Sequence, residues 1–212
     1  MIKTFLLDII FNGKIPFFKF FEKVILFLSI VPILGIFLFP EDFRNLGELS
    51  WHLLILILII RPLGDVFPEF KIFRGFLPLR KNLGILCGSL GIAHSIGYFF
   101  NSKLALPSSF FRAEIWDFHQ HFFWGMIGFL IMIILTITSS FIAMIHLKHW
   151  WKRLHRMVYL LFFVVAIHVI LIKFGKTGNF FDPEVLSAFL SILVLSTLWI
   201  LSMFKISFRF KK

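Results

Sequence analysis

Between Phe122 and Ile145 the chain runs for 24 residues without a charged side chain. A helix of about 20 mostly apolar residues crosses a bilayer core, so this one run already directs the chain into a membrane. Five other apolar segments have the same character: Val24–Phe39, Leu49–Phe67, Leu83–Phe100, Met157–Ile172 and Val185–Phe204. The first is short and interrupted by Pro32, with Lys23 placed to snorkel at its start; the second carries Arg61 and Asp65 towards its end. Pro40, Pro68, Pro78, Pro107 and the stretch from Gly175 to Pro183 punctuate the short linkers. The sequence therefore predicts an all-α polytopic bundle of six transmembrane helices, with residues 1–212 forming a single domain. Hydrophobic residues make up 59% and charged residues 16%, against about 45–50% and 25% in soluble domains. With 32 Phe and 2 Tyr, most aromatic rings carry no polar group that needs a partner. The lone cysteine, Cys87, excludes an internal disulfide and a cysteine-based metal site. No signal-peptide cleavage pattern is read at the N-terminus, and 212 residues leave no room for a soluble nucleotide-binding domain beside six spans.

The formal net charge of +11 suggests nucleic acid only until the basic residues are placed on the loops. Of 22 Lys and Arg, 17 fall in the N-terminal segment, the second-to-third loop, the fourth-to-fifth loop and the C-terminal tail. The other five are Arg44, Lys103, Arg112, Lys173 and Lys176. Basic residues concentrate in cytoplasmic loops, so both termini are expected in the cytoplasm and no nucleic-acid role is expected. Trp51, Trp116 and Trp124 then fall near the outer interface, and Trp150, Trp151 and Trp199 near the inner one, forming the expected aromatic belts.

Ionisable side chains inside spans are costly and raise a functional hypothesis by default. His94 and His168 lie at matching depths on the third and fifth spans, each roughly 16 Å from its inner end at 1.5 Å per residue. Two imidazoles at one depth on parallel helices suit axial ligation of a haem in a bundle core. Gly84, Gly88, Gly91 and Gly97 read either as a groove for the ring or as a tight helix-packing surface. His155, 13 residues before His168, falls at the cytoplasmic boundary, where a second cofactor could lie. Its partner is not obvious, since the third span offers Arg80 and Lys81 at that depth; His146 or His149 would have to serve. Arg80, Lys81 and Arg153 read either as partners for haem propionates or a flavin phosphate, or as basic anchors of the inner face. His52 is an interface residue, and His119 and His121 point apart on a helix, so neither suggests a metal site. Met126, Met132 and Met144 read as span packing.

Residues 80–98, RKNLGILCGSLGIAHSIGY, and 147–168, LKHWWKRLHRMVYLLFFVVAIH, resemble the ferric-reductase-like transmembrane domain, in particular its MsrQ-type branch of haem-binding subunits. The likeness runs from Gly47 and Pro62-Leu63 through Thr138-Ser139 to the end of the fifth span. It implies a six-span membrane cytochrome b binding one or two haem b groups, with FMN as an associated cofactor. Electrons would enter on the cytoplasmic side of the bacterial inner membrane from a flavin reductase or quinol. They would leave to a periplasmic molybdopterin-dependent methionine sulfoxide reductase that repairs oxidised proteins. Carried over by position, His94, His155 and His168 match the family's functional histidines, and Arg80, Gly84, Tyr98, Trp151 and Tyr159 match surrounding positions. Ala93 and Arg61 depart from the pattern, the second adding a charge at the inner end of the second span. The branch implies an electron-transfer subunit with no catalytic residue of its own. Two rivals remain at this stage: a ferric or cupric reductase acting on metal chelates at the outer face, and a cofactor-free polytopic protein.

Overall fold

The computed structural model describes residues 10–13, 15, 17–101, 116–206 and 208. Lys3, Lys14, Lys103, Arg112, Arg209, Lys211 and Lys212, counted above for topology, and Pro107 lie outside the described residues. The described residues contain helices and turns and no strand. Five helical segments are long and apolar enough to cross a membrane, or six if one sharply bent pair counts as a span, among the described residues. The all-α membrane bundle read from the sequence is the observed architecture.

Helix α1 (Phe18–Leu28) and helix α2 (Val31–Leu38) together form the first span. Pro32 sits in the first turn of α2, where its missing N–H costs nothing, and this explains the break at Ser29. The span starts at Phe18, earlier than the predicted Val24. Asn82 donates to the Glu22 carbonyl at 3.1 Å and Ser89 donates to the Ser29 carbonyl, tying this span to the third. Helix α3 (Phe43–Val66) follows, and a short α4 (Lys71–Gly75) leads into α5 (Arg80–Asn101). Helix α3 takes Arg44 and Glu48 into its first turns and so starts six residues before the expected Leu49. At its other end, Arg61 pairs with Asp65 at 3.9 Å and Ser202 donates to Asp65 at 2.8 Å, so neither charge is idle.

The charge-free run that led the sequence reading is not one straight span. Helix α6 (His121–Ile137) stops, and α7 (Phe141–Leu147) leaves it at 93°. The cause is the polar run from Thr136 to Ser140. The hydroxyls of Thr136, Thr138 and Ser139 donate back to the carbonyls of Met132, Ile134 and Leu135 at 2.6–2.8 Å, a pattern that bends helices. Ser140 then caps α7 by accepting from the Ala143 amide at 3.1 Å. The Thr138 carbonyl freed at the corner accepts from the Trp151 indole at 2.9 Å. Backbone breaks at membrane depth are tolerated where such partners re-satisfy the freed groups.

Helix α8 (His149–His155) turns at Arg156 into α9 (Met157–Thr177), which ends on Gly178 in the left-handed region. Helix α10 (Pro183–Met203) starts on Pro183, with Asp182 accepting from the Glu184 amide at 2.9 Å. Helix α3 packs on α5, α6 on α9, and α10 on both α3 and α9. The core they enclose holds Trp51, Leu54, Leu58, Cys87, Met132, Phe162 and Leu195. Trp51 stacks on Phe162 with ring centres 5.5 Å apart. Large apolar side chains such as Leu34, Leu190 and Leu193 stay more than half exposed on the outer faces. That surface suits lipid, since burial against water is not what holds such a bundle together.

Candidate functional site

His94 on α5 and His168 on α9 face each other with ring centroids 6.5 Å apart. The Nδ1 of His94 is 2.7 Å from the Phe43 carbonyl, and the Nδ1 of His168 is 2.7 Å from the His121 carbonyl. A carbonyl only accepts, so each Nδ1 carries the proton and each Nε2 keeps its lone pair. Such a bond fixes the tautomer and the orientation of each ring. Two neutral imidazoles brought this close are a donor set that could hold a haem iron, which would supply one-electron chemistry there.

The two halves of the site are built alike. Phe43 and His121 are the first residues of α3 and α6, and each carbonyl anchors an imidazole on the next long helix. One turn further on stand Gly47 and Gly125. A Cβ at Gly47 would sit 2.6 Å from the His94 ring, and one at Gly125 would sit 2.8 Å from the His168 ring. Any side chain there would displace an imidazole. These four residues were not picked out from the sequence as parts of the site; the signal available was a glycine one turn inside each of two helices that precede a histidine-bearing helix.

Both histidines line one cavity of about 910 Å³, within the upper part of the range usual for cofactor sites. Its walls include Ser50, Trp51, Leu54, Met126, Phe129, Met132 and Val165. Its lining is exposed at Arg44, Glu48, His119, Gln120, Lys176 and Glu184 and buried at Leu54, Met126 and Met132, so its mouth lies at the end of the bundle formed by the starts of α3, α6 and α10 and the end of α9. The glycines of α5 serve mainly to pack helices: Gly88 and Gly91 meet Thr136 and Met132, and Gly97 meets Ile36 and Phe43. Gly84 faces open space, and of the four only Gly91 also lines the cavity.

His155, Arg80 and Arg153 do not line this cavity. His155 lies at the α6–α7 corner, its Nε2 3.3 Å from both the Thr138 hydroxyl and the Thr138 carbonyl, and its ring against Trp151 at 4.2 Å. Arg80 is half-buried near Tyr159 and Arg61, and Arg153 is exposed with its guanidinium over Trp150 at 4.7 Å. No group of three or more His, Cys, Asp or Glu side chains comes together as a metal site among the described residues. His94 and His168 are therefore brought together, and His155 stands apart from them. At the cavity mouth, His119 binds the Asp117 carboxylate through its backbone amide and its ring, both at 3.0 Å, which holds Asp117 below the usual carboxylate range.

Residues 46–167 match the family described as ferric reductase like transmembrane component. The chain belongs to that family. The ferric-reductase-like match takes in Gly47, His94, Gly125 and His155 and ends one residue before His168. The chain is 28% identical over 134 residues to the protein-methionine-sulfoxide reductase heme-binding subunit MsrQ of Agrobacterium fabrum, covering 63% of this chain and 59% of that protein. It is 27% identical over 161 residues to MsrQ of Caulobacter vibrioides, covering 74% and 70%. It is 28% identical over 153 residues to the magnetosome protein MamZ of Magnetospirillum gryphiswaldense, covering 71% of this chain and 22% of MamZ. It thus spans about a fifth of one relative and under two thirds of another. No solved structure matches the chain. This ferric-reductase-like protein is a multi-pass protein of the bacterial inner membrane.

Proposed function

We propose that the chain is an MsrQ-type electron-transfer subunit that binds haem b between His94 and His168. The observation that carries this reading is the facing pair of imidazoles, 6.5 Å apart in one cavity, each with its Nδ1 proton already held by a carbonyl. A haem bound there would supply a one-electron relay between its ferric and ferrous forms. The chain's own residues bind and orient. Phe43 and His121 fix the two imidazoles through their carbonyls, and Gly47 and Gly125 leave the rings room. Trp51, Leu54, Phe129 and Val165 keep the walls apolar and exclude water.

Both termini lie in the cytoplasm on this reading, as the bias of basic residues requires, and the cavity mouth faces the periplasm. Electrons arrive from a separate flavin reductase or quinol at the inner end. His155 with Trp151, flanked by the basic Arg80 and Arg153, is the candidate there for a second haem or an FMN. They leave to a periplasmic molybdenum-containing methionine sulfoxide reductase; the names of the Agrobacterium and Caulobacter relatives support that partner. Deleting the gene should abolish repair of oxidised periplasmic methionines and leave reduction of external ferric chelates intact. Lost chelate reduction with intact repair would instead favour a ferric reductase.

A further inference from the structure

The five basic residues that break the inward bias are the unexplained part of the charge pattern. Three of them, Arg44, Lys173 and Lys176, are among the described residues, and all three line the mouth of the histidine cavity. They come from two walls, Arg44 in the first turn of α3 and both lysines at the end of α9. The carboxylates in the same lining are Glu48 and Glu184, so cations are in excess. Lys173 is drawn inward: its side chain is 22% exposed, while its partner Glu184, 2.6 Å away, is 62% exposed. Glu184 answers that one ammonium from the exposed side, whereas Arg44 and Lys176 have no carboxylate partner among the described residues, so this end of the cavity keeps a positive excess.

We infer that this mouth receives the two propionate carboxylates of the cofactor, Lys173 on the α9 side and Arg44 on the α3 side, so that the carboxylate edge faces outward. The inference rests on the haem reading above. It concerns the His94–His168 cofactor alone; Arg80 and Arg153 do not line that cavity and stay with the candidate second site at the opposite end of the bundle. Arg44 brings a guanidinium fork suited to a carboxylate, and Lys173 a point charge able to exchange its Glu184 partner or share it.

The test uses full-length protein produced without haem and titrated in detergent with haem or with haem dimethyl ester, which keeps the iron and ring but lacks both carboxylate charges. Bound cofactor is read from its visible spectrum. The wild type should hold haem about tenfold or more tighter than the ester. Lys173→Gln and Arg44→Gln should each narrow that gap, and together abolish it. Glu184→Gln breaks the ion pair but keeps the ammonium, so it should preserve the gap; Lys148→Gln, at the other end, should do the same. Equal affinity for acid and ester in the wild type overturns the inference, as does a gap that survives in the double variant. A gap lost equally in Glu184→Gln also overturns it, because the ion pair and not a propionate contact would then be responsible. If neither compound gives a spectrum that depends on His94, the haem reading itself fails, and this inference with it.

Discussion

At the scale of single residues, Gly47 and Gly125 do as much to make the site as the imidazoles they face. An added methyl at either would lie within 3 Å of a ring atom, and overpacking of that kind costs about 1–3 kcal/mol. The imidazole is the side chain free to yield, so Gly47→Ala and Gly125→Ala should leave the bundle folded and weaken haem retention by roughly ten- to a hundredfold. Haem transfer to an acceptor protein, compared with thermal unfolding, separates the two effects. His94 and His168 were legible in the sequence because a polar ring inside an apolar run is costly wherever it occurs. Their partners were not. The bonds to Phe43 and His121 join residues 51 and 47 positions apart, and no local periodicity reports a contact between different helices. Arg80 and Arg153, expected at the depth of His155 for a second cofactor, lie outside the His94–His168 cavity.

Among the elements, the α6–α7 corner departs most from expectation. Mean apolarity over Phe122–Ile145 reads as one span, and averaging hides four nearly consecutive hydroxyl residues that bond backwards and cap forwards. At 17 residues, α6 is about 25 Å long, close to the minimum that crosses the core. Helix α7 then runs nearly perpendicular to it with Phe141, Ile142 and Ile145 exposed. With Lys148, Lys152 and Arg153 close by, it suits the lipid interface. Environment-sensitive labels at Phe141, Met144 and Leu147 should report one shallow depth, whereas labels at Leu130, Ile134 and Ile137 should report steadily changing depth. Steadily increasing depth through α7 would restore the single straight span. Trp151→Phe removes the shorter donor to the Thr138 carbonyl and leaves it the 3.3 Å contact with His155; losing one such hydrogen bond costs about 0.5–1.5 kcal/mol. The variant should lower the melting temperature by several degrees and leave the His94–His168 spectrum unchanged.

For the whole molecule, the sequence made the membrane class, the spans and the fold class plain, because bilayer thickness imposes them on any chain this apolar. Helix ends were less plain: α3 starts six residues before the expected Leu49 and α9 ends five after the expected Ile172, where Arg44 and Lys173 lie inside a helix. The site resolves into two ends with different character. The His94–His168 cavity opens at one, and the His155–Trp151 corner with most of the described basic residues lies at the other. Single cysteines at Lys148 and Lys205 should react only with a reagent supplied from the cytoplasm, and one at Lys176 only from outside. The reverse pattern would turn the cavity towards the cytoplasm and exclude delivery to a periplasmic partner.

The most direct measurement is the reduced-minus-oxidised visible spectrum of the purified, haem-supplied protein beside its His94→Ala, His168→Ala and His119→Ala variants. The pairing of the two histidines predicts a low-spin b-type spectrum in the wild type, its complete loss in each of the first two variants, and its retention in the third. A wild-type spectrum that survives unchanged in both His94→Ala and His168→Ala would contradict the pairing, and no visible absorption at all would remove haem from this protein.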